Sequence, residues 1–341
     1  MRDIAESVGV SETAASFALN GRPGISEATR KKILDRVEEM GWRPSHAART
    51  LSGAKSGTVG LVLPLRTASH GDAGETPADD SEVFFMRLMV GLQSVLGPAQ
   101  LSLLMRMVET PDDELEVYRQ WDGERRVDGV VLVDLRAEDA RPALLDELGM
   151  PAILAGGPDP EARIPSVSID DGAAMAAVLD HLQQQGLHRV AYLCGPPELV
   201  HVSRRIEAFT AARRGGRLTG EVVATDLTAS AAERATVQLL EGPERPAAII
   251  CENEVVAVSV ELALRSRGHH VPGDVAIVSC EDGPVCEAMR PPLTALHRDT
   301  ARFGAEVARE LLGIIGGQEP RSAEQRVPEL IVRGSTAAPA D

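Results

Sequence analysis

The fold of this chain is decided at residues 3–21, which read DIAESVGVSETAASFALNG. Apolar residues recur there with helical spacing on both sides of one glycine. The apolar face of the first segment consists of Ile4, Ala5 and Val8. That segment ends at Gly9, and Ser11 follows as a suitable N-cap for a second helix that continues to Leu19. Two short helices around a tight turn are therefore predicted.

A third helix is expected to brace this pair. Ser26 is its N-cap and Gly41 ends it. Its apolar stripe consists of Ile33, Val37 and Met40. Two short helices around a glycine-containing turn, supported by a third helix, are typical of a helix-turn-helix DNA-binding domain. The alternative interpretation is a small helical module that docks a protein partner.

The segment that follows, residues 45–53, reads SHAARTLSG. It is too short to form a stable helix by itself. A helix that forms only against a partner suits a reader of the DNA minor groove. In such a reader, two copies pack through Ala47 and Ala48 while Leu51 inserts between base steps. The alternative is an ordinary linker helix.

Acidic and basic residues are unevenly distributed along the chain. The formal net charge of the 341 residues is −16. Residues 1–57 nevertheless contain nine Lys or Arg against seven Asp or Glu, and all three lysines of the chain lie there. The remaining residues contain 26 basic and 44 acidic side chains. The front segment therefore permits contact with DNA phosphates, whereas the acidic body repels them.

Composition and local patterns exclude several classes of protein. The chain is 43% hydrophobic and 25% charged, as is usual for globular proteins, and it has no run of about 18 apolar residues. Its polar N-terminus is unlike a signal peptide, so a cytoplasmic location is expected. The cysteines lack zinc-binding spacing and are expected to be reduced core residues. They are Cys194, Cys251, Cys280 and Cys286. Neither a metal nor a cofactor is predicted.

Beyond residue 57, strand and helix patterns alternate. Residues 59–63 are a continuous apolar run, typical of a buried parallel strand. Further strands are predicted at residues 101–105, 129–133, 151–155, 189–194, 221–224, 246–251 and 274–279. The helices between them are predicted at residues 82–96, 112–120, 138–148, 172–185, 202–214, 230–240 and 254–267. Alternating βα units imply two parallel sheets with right-handed crossovers, and hence two lobes with a cleft between them.

The front segment carries a dense series of motifs. They are Asp3-Ile4-Ala5, Gly9-Val10-Ser11, Ser16, Leu19-Asn20-Gly21, Ile25-Ser26, Thr29-Arg30, Gly41-Trp42-Arg43-Pro44 and Ala48-Arg49-Thr50-Leu51. In identity and order this series resembles the lactose-repressor (LacI/GalR) family of bacterial regulators. The resemblance implies a small all-α helix-turn-helix DNA-binding domain followed by an α/β two-lobed periplasmic-binding-protein-like effector domain. It also implies that the second helix lies in the major groove and that the hinge helix orders in the minor groove.

The resemblance designates a set of DNA-binding residues. They are Ser11, Glu12, Thr13, Ser16, Phe17, Asn20, Arg30, Ala48 and Leu51. Within the set, Glu12, Thr13 and Ser16 would face bases or phosphates, and Leu51 would be the wedge. Phe17 stands where the family more usually has a groove-facing arginine, so a different base preference is expected. Family members also carry several residues before the position of Met1, and these cap the first helix.

The predicted organisation has three parts. Residues 1–43 form the helix-turn-helix domain, residues 44–57 the hinge helix and linker, and residues 58–341 the effector-binding and dimerisation domain. In the last part, lobe 1 spans about residues 58–157 and 291–317, and lobe 2 spans about residues 158–290 and 318–335. A strand at residues 293–296 and a helix at residues 299–315 are thus expected in lobe 1, and a strand at residues 330–332 in lobe 2. The polar residues 67–80 are expected to form a loop at the cleft mouth.

An effector site is predicted in the cleft, because ligands of open α/β sheets bind beyond the carboxyl ends of the strands. The loops concerned follow Leu63, Ala155, Cys194, Cys251 and Ser279. Arg205 offers a fork of donors for vicinal hydroxyls or a carboxylate. Asn253 offers a donor and an acceptor, and Glu281 accepts hydrogen bonds from hydroxyls. The resemblance supports these three residues as effector ligands, and Phe84 joins them from an aromatic pair that the family shares.

Each of these residues also has a structural interpretation. Arg205 is alternatively a solvated helix arginine, Asn253 a helix cap, and Phe84 with Phe85 part of the core. Asp282 is expected to be structural. Asp170 and Asp171 are expected to cap the helix that they open.

Three departures bear on the identity of the effector. Gly156 stands where sugar-binding relatives often carry an aspartate, and Glu254 stands where Asp is usual. Aromatic residues make up only 3% of the chain, so few rings are available to stack on a sugar. A sugar or a related metabolite is the expected effector, but these departures leave its class open.

Catalytic patterns are absent: the sequence contains no GxSxG, HExxH, P-loop or GxGxxG motif. The predicted function is a cytoplasmic, ligand-responsive transcriptional repressor that binds a pseudo-palindromic operator as a homodimer, without enzymatic activity. A small molecule in the cleft shifts the population between DNA-competent and incompetent states. Because no leucine heptad occurs near the C-terminus, a tetramerising coiled coil is not expected. The alternatives are a cytoplasmic small-molecule-binding module whose N-terminal helices dock a protein and, more distantly, a sugar-processing enzyme.

Overall fold

Met1–Ser56 and Gly57–Asp341 form two separate units in the computed structural model of this protein. The structure describes residues 2–19, 22–41, 55–65, 81–320 and 326–337. The predicted hinge helix at residues 45–53 and the predicted loop at residues 67–80 lie outside the described residues.

The first unit consists of three helices around a small apolar core. The helices are α1 (Arg2–Val8), α2 (Glu12–Leu19) and α3 (Glu27–Glu39). The core consists of Ile4, Ala5, Val8, Ala15, Ala18 and Ile33. Between α1 and α2 the chain turns at Gly9, whose φ of 70° lies in the left-handed region, and Val10 N–H donates to the carbonyl of Ala5 at 2.9 Å. The predicted helix-turn-helix arrangement is confirmed.

The third helix differs from the prediction at its C-terminal end. Its N-cap is confirmed, because the hydroxyl of Ser26 accepts a hydrogen bond from Thr29 N–H at 3.1 Å. The prediction that Met40 belongs to the buried apolar face of this helix is wrong. The helix ends at Glu39, and Met40 is 40% exposed.

The second unit begins with a parallel sheet of five strands. These are β1 (Thr58–Pro64), β2 (Ser102–Val108), β3 (Gly129–Leu132), β4 (Ala152–Ala155) and β5 (Ser166–Val167), in the order β2-β1-β3-β4-β5. The helices on this sheet are α4 (Ser81–Leu96), α5 (Pro111–Gly123), α6 (Ala140–Glu147) and, from the end of the chain, α12 (Thr300–Ile315). Helices α4 and α12 cover one face, and α5 and α6 cover the other. This layer structure is the first lobe.

The second lobe is built on a sheet of six strands. These are β6 (Val190–Cys194), β7 (Val222–Ala224), β8 (Ala248–Cys251), β9 (Ala276–Ser279), β10 (Thr294–His297) and β11 (Glu329–Ile331), in the order β11-β10-β9-β8-β6-β7. Its helices are α7 (Asp171–Gln184), α8 (Val200–Arg214), α9 (Ala229–Glu241), α10 (Glu254–Ser266) and α11 (Pro284–Ala288). Successive residues of β8 face opposite sides, so that Ala248 and Ile250 pack under α7 and α8 while Ile249 and Cys251 pack under α9 and α10.

Two short strands correct the predicted division into lobes. Strand β10 pairs in parallel with β9, so the segment at residues 293–296 lies in the second lobe and the prediction for it is wrong. Strand β5 pairs with β4 and belongs to the first lobe, although residues 158–290 were assigned to the second. An apolar run shows that a strand is buried, but its neighbour in the sheet is chosen by tertiary packing. The strand at residues 329–331 pairs with β10 in the second lobe, as predicted.

Helix α12 lies in the first lobe, as predicted. It crosses α4 so closely that a Cβ added at Gly91 would lie 2.0 Å from the carbonyl oxygen of Ala301. A Cβ at Gly304 would likewise lie 2.4 Å from the carbonyl oxygen of Leu88. Glycine is therefore required on both helices at this crossing.

The remaining predictions concern single elements and residue classes. Every predicted helix and strand of the second unit is present, with ends displaced by a few residues. The five-residue helix α11 was not predicted, because it is too short to show helical periodicity. All four cysteines are buried and free. Among the described residues, no helix has the length and apolar character needed to cross a membrane.

Candidate functional site

A cavity lies between the two lobes, where strands of both sheets end. It encloses about 860 Å³ of empty space, including its open mouth. The first lobe contributes residues that follow β3 and β4 and residues of α4, and the second contributes residues that follow β6, β8 and β9 and the first turns of α8. The polar and charged lining residues are Asp134, Asp171, His201, Arg205, Glu252, Asn253, Glu281 and Arg298. All four predicted effector residues, Phe84, Arg205, Asn253 and Glu281, line this cavity.

Arg205 lies at the floor of the cavity. Its side chain is only 2% exposed, which rejects the interpretation as a solvated helix arginine. One end of the guanidinium donates to Asp171 Oδ1 at 2.6 Å, and the other end donates to Glu252 Oε1. Burial alone would lower the pKa of Arg205, but the charges of Asp171 and Glu252 outweigh it and raise this pKa well above its ordinary value. The residue is therefore a permanent buried cation held between two carboxylates.

One donor of Arg205 is not used by the protein. Among the described residues, its buried Nε has no hydrogen-bond partner. A buried N–H without a partner is costly, so an acceptor oxygen on a bound molecule would stabilise it. Both Nη atoms of the predicted fork are thus bonded to protein carboxylates, and Nε is the donor atom without a partner among the described residues.

Glu252 is fixed by the second sheet. Its Oε2 accepts hydrogen bonds from the hydroxyl of Tyr192 and, at 3.4 Å, from Gly195 N–H. Burial, and then the charge of Glu252, raise the pKa of Tyr192 well above its ordinary value, so the phenol is a donor at every physiological pH. Tyr192 and Arg205 together hold this carboxylate rigidly.

Asn253 has one of the two roles that the sequence suggested, that of a helix cap, and it lies at the cavity. It lines the cavity, and its Oδ1 accepts a hydrogen bond from Val256 N–H at 2.9 Å as the N-cap of α10. The cap fixes the side chain at the cavity surface. Its neighbour Glu254, where Asp is usual in the family, does not line this cavity and instead lies against Cys286.

The opposite wall is apolar with one cation. Phe84 and Phe85 both line it, with their rings edge to face at a centroid separation of 5.4 Å. Phe85 also belongs to the core of the first lobe. The guanidinium of Arg298 lies over the Phe84 ring, 5.4 Å from its centroid, and 4.0 Å from Glu281. The wall therefore offers a ring face and an acceptor side by side.

Five of the charged or titratable lining residues were not predicted as effector ligands: Asp134, Asp171, His201, Glu252 and Arg298. Asp134 and Glu252 stand just after strands, where the same strand-end rule would have found them. Burial, and then the charge of Arg205, lower the pKa of His201, which keeps its imidazole neutral. Nothing in the sequence marks His201 or Arg298, which reach the cavity through tertiary packing.

The acidic residues of the predicted caps separate into two roles. Asp170 caps α7, because its Oδ1 accepts a hydrogen bond from Ala173 N–H at 2.8 Å. The prediction that Asp171 shares this role is wrong, since its carboxylate turns to Arg205 instead. Asp282 is structural, as predicted: its oxygens accept two hydrogen bonds from the guanidinium of Arg333, at 2.7 and 2.9 Å.

Only some of the strand-end loops that were predicted to line the cavity do so. Gly156 and Gly157 follow β4 and line the cavity, both with positive φ. Among the described residues, none that follow β1 line it. Asp134, after β3, supplies a loop that the sequence did not indicate.

The candidate DNA surface lies on α2 of the first unit. Ser11 caps this helix, since its hydroxyl accepts from Ala14 N–H at 3.1 Å. Glu12 and Thr13 are exposed, and Ser16 and Phe17 are half-buried. The Phe17 ring lies against the loop after α2: a Cβ at Gly24 would be 3.1 Å from its Cδ2 and Cε2 atoms. The ring thus packs within the unit at the position where the family has a groove-facing arginine.

Arg30 closes the C-terminal end of α2. Its Nη1 donates to the carbonyls of Phe17 and Ala18 at 3.3 and 3.2 Å, and its Nη2 donates to that of Arg22 at 2.7 Å. The guanidinium therefore satisfies helix-end carbonyls, a role that the sequence did not reveal. The other predicted DNA contacts, Asn20, Ala48 and Leu51, lie outside the described residues.

The cavity is built for binding. Among the described residues, no group of three or more His, Cys, Asp or Glu side chains is placed to hold a metal ion. Buried thiols line the sheet nearby, and burial raises the pKa of Cys194 and of Cys280 to about 12, which leaves both unreactive. What the lining offers is a fixed set of donors and acceptors around an apolar wall.

Two family descriptions match this chain. Residues 1–45 match the bacterial regulatory proteins of the lacI family, and residues 179–336 match a periplasmic binding protein-like domain. Over 352 residues the chain is 31% identical to the HTH-type transcriptional regulator reg1 of Streptomyces lividans, covering 99% of this chain and 96% of the relative.

Two solved structures are similar to this chain. A LacI family transcriptional regulator from Bifidobacterium animalis subsp. lactis is 31% identical, with a TM-score of 0.75, covering 84% of this chain and all of that one. A complex of the transcriptional regulator CelR with cellobiose is 25% identical, with a TM-score of 0.70, covering 97% of this chain and 98% of that one.

Proposed function

Because the chain belongs to the LacI family of bacterial regulatory proteins, we propose that it is a cytoplasmic repressor that binds a pseudo-palindromic operator as a homodimer and responds to a sugar or related polyol in its cleft. The family resemblance of the sequence is confirmed, and the family consists of transcription regulators. The assignment of individual residues to DNA and effector is the proposal.

The observation that carries the effector assignment is the buried group around Arg205. Two carboxylates, Asp171 and Glu252, each accept a hydrogen bond from an Nη atom of Arg205, and its Nε has no partner among the described residues. A hydroxyl oxygen supplies the missing acceptor, and hydroxyl hydrogens find acceptors on Asn253 and Glu281. A molecule with several neighbouring hydroxyls therefore suits the cavity.

The charge of the cavity argues against an anionic effector. Its lining holds four carboxylates and two guanidinium groups. One guanidinium, that of Arg205, is already balanced by two carboxylates. A phosphorylated sugar or a sugar acid would face net negative charge at short range, so a neutral polyol is favoured. The cellobiose bound to CelR, a similar protein, is a neutral sugar of this kind.

The DNA assignment is supported by the form of the first unit. Helix α2 is short, follows a tight turn and presents Glu12 and Thr13 to solvent. The three lysines of the chain lie in residues 1–57, while the rest of the chain is strongly acidic. Phosphate contact is therefore favoured at this end only, and α2 is the candidate for the major groove.

The homodimer is supported by an apolar surface on the first lobe. Val83, Met86 and Val90 form one exposed face of α4, and Met86 and Val90 are 58% and 61% exposed. Met105 and Met107 are also exposed on β2, the edge strand of the same sheet, which packs against α4. We name these five residues the apolar stripe. A row of large exposed apolar side chains of this kind is typical of a protein–protein interface, and a second copy is the proposed occupant.

The alternatives are weaker. A module that docks a protein through its N-terminal helices has no need of the dense lacI-family match over residues 1–45. A sugar-processing enzyme needs a nucleophile and a base, whereas the candidate groups at the cavity are committed to ion pairs and caps. We therefore propose no catalytic activity.

A salt series of DNA binding tests the proposal. The full-length protein is titrated against the region upstream of its own gene and against a shuffled duplex, at about 50 and 200 mM salt. Site-specific, salt-sensitive binding to the upstream region is expected. Addition of neutral sugars, including cellobiose and maltose, is expected to change the operator affinity, whereas their phosphorylated forms are not.

Equal affinity for the upstream and shuffled duplexes at every salt concentration would reject the repressor function. A response to phosphorylated sugars and not to neutral ones would reject the neutral effector while leaving the repressor function intact.

A further inference from the structure

The two lobes are joined directly beside the cavity by main-chain hydrogen bonds. Val200 N–H of the second lobe donates to the carbonyl of Leu135 at 2.8 Å, and Ala137 N–H of the first lobe donates to that of Glu198 at 2.8 Å. These bonds form an isolated antiparallel bridge between Arg136 and Leu199. We name residues 135–137 and 198–200 the clasp. Leu135 and Val200 also line the cavity, so the clasp is one of its walls.

The clasp is reinforced by apolar and polar contacts from the same helix, α8. The side chain of Val200 packs against the core of the first lobe that is formed by β3, α5 and α6. One turn further, the guanidinium of Arg204 donates to the carbonyls of Gly157 and Pro158 in the loop that follows β4. The N-terminal end of α8 is thus attached to the first lobe at two places.

Arg205, which follows Arg204 in sequence, connects the attached end of α8 to the cavity. Arg204 reaches the first lobe, while Arg205 reaches the cavity floor through Asp171 and Glu252. Both side chains belong to one rigid helix, so a displacement of Arg205 is transmitted to Arg204 and to Val200. A ligand that fixes Arg205 therefore also fixes the clasp.

The half of the clasp in the first lobe is held by a buried ionic network. The guanidinium of Arg141, only 2% exposed, donates to Asp139 at 2.6 Å, to Glu114 at 2.8 Å and to the carbonyl of Asp134 at 2.8 Å. Asp139 in turn accepts from Arg136 N–H at 3.0 Å. Both ends of the loop at residues 134–139 are therefore attached to the side chain of Arg141, which is not among the residues that line the cavity.

We propose that the clasp is the latch that couples the cavity to lobe closure, with Arg204 as its positioning residue in the second lobe and Arg141 in the first. This inference rests on the proposed function, because it assigns the regulation of the same cavity. The latch consists of a few hydrogen bonds and one apolar side chain, not of a continuous core. It can therefore open without unfolding either lobe, which is what a two-state regulator requires.

The test measures the distance between the lobes in ligand-free, full-length protein. Cysteines are introduced by Glu147→Cys on α6 and Arg214→Cys on α8, both at exposed positions, and carry spin labels. The four natural cysteines are buried and do not compete for the label. Double electron–electron resonance then gives the distribution of inter-lobe distances.

Arg204→Gln in this background is expected to broaden the distribution and shift it to longer distances, and Arg141→Lys is expected to do the same. Arg213→Gln is the matched control, because Arg213 lies on the same helix and, among the described residues, its side chain donates to Gly220 within its own lobe. Its distribution should equal that of the parent. Thermal unfolding of each variant verifies that both lobes remain folded.

Identical distributions for the parent, Arg204→Gln and Arg141→Lys would overturn the latch. A change in Arg213→Gln as large as in Arg204→Gln would also overturn it, because general loosening of α8 would then be the cause. Since these distances are measured without DNA or sugar, a failure of operator binding by the unlabelled parent protein would reject the proposed function separately.

Discussion

The Nη2 atom of Arg205 lies 2.6 Å from Oδ1 of Asp171, and both side chains are buried at the floor of the inter-lobe cavity. The pair joins the beginnings of α7 and α8, at the edge of the sheet where a ligand would bind. Its geometry is completed by Glu252 on the neighbouring strand end. The buried guanidinium of Arg205 stabilises the second lobe only while both carboxylates are present. The proposed binding of an effector and the stability of this lobe therefore depend on the same side chain.

Substitutions of Arg205 should separate these two roles. Arg205→Ala leaves two buried carboxylates without a counter-charge and is expected to destabilise the second unit by about 3–5 kcal/mol. Arg205→Lys retains the charge but lacks the planar fork. It is expected to fold, to keep operator affinity and to lose the response to sugar. Thermal unfolding and operator titrations with and without sugar measure these effects.

Arg213→Lys, an exposed substitution on the same helix, is the control for Arg205→Lys. An Arg205→Lys protein that responds to sugar at the same concentration as the parent would show that the fork does not bind the effector.

Acid should weaken the pair between Arg205 and Asp171. Burial alone would raise the pKa of Asp171, but the charge of Arg205, with a smaller contribution from Arg298, outweighs it and holds this pKa below its ordinary value of 3.8. Such a carboxyl stabilises the fold above its unfolded-state pKa, and the contribution is lost as the pH falls through the lower, folded-state pKa. The difference in Tm between the parent and Asp171→Asn should therefore be constant above about pH 5 and shrink at lower pH.

Asp170→Asn provides the comparison, because asparagine caps a helix as well as aspartate does. A difference between the parent and Asp171→Asn that stays constant down to about pH 3 would contradict a lowered pKa for Asp171.

Arg30 is expected to act through the structure of the first unit. Arg30→Ala removes the donor to two carbonyls in the last turn of α2 and to the carbonyl of Arg22 in the loop that follows, and should destabilise that unit by about 1–3 kcal/mol. Arg36→Ala, which removes only an exposed pair with Glu39, should cost less than about 1 kcal/mol. Calorimetry of the full-length variants measures both effects. If Arg30 instead contacts a phosphate, its substitution lowers the salt dependence of DNA binding by about one unit without a loss of stability.

Leu51 lies outside the described residues, and its role as a wedge is a prediction from the sequence. Loss of the wedge removes the stabilisation of kinked operator DNA but leaves phosphate contacts in place. Leu51→Ala is therefore expected to weaken specific binding by about tenfold or more and non-specific binding much less. Titrations against the operator and a shuffled duplex at one salt concentration measure the specific and the non-specific affinity. Equal losses on the two duplexes would reject the wedge.

The apolar stripe should control dimerisation. Met86→Glu places a charge at its centre and is expected to raise the dimer Kd by about thirtyfold or more, as for a central interface residue. Gln238→Glu adds the same charge at an exposed position of α9 in the second lobe, outside the stripe, and should leave the Kd unchanged. Sedimentation velocity over a concentration series measures the Kd. A dimer of Met86→Glu as stable as the parent would place the interface elsewhere.

Local pattern was sufficient for most of the secondary structure. Helix periodicity and capping residues such as Ser11 and Ser26 gave the three N-terminal helices, because caps and apolar spacing act within a few residues. Alternating strands and helices gave the two-lobed architecture for the same reason. The end of α3 was mispredicted at Met40, where an apolar residue at the right spacing lies beyond the last helical turn.

The tertiary structure decided which strands pair and which side chains interact. Strand β10 pairs in the second sheet and β5 in the first, because a short apolar run fits either sheet and only its packed neighbours select one. The same holds for the side chains of the cavity. The sequence placed Arg205, Asn253 and Glu281 near strand ends, but their partners come from distant elements.

The sequence by itself determined the helix-turn-helix motif, the family and the edge of the sheets at which the cavity lies, since all three depend on local order along the chain. Only the tertiary structure decided that Arg205 is buried between Asp171 and Glu252, that Arg30 closes a helix end and that Arg204 joins the lobes. Charged side chains are long enough to reach either solvent or a buried partner. Which of the two they reach depends on residues that the fold brings together from far along the chain.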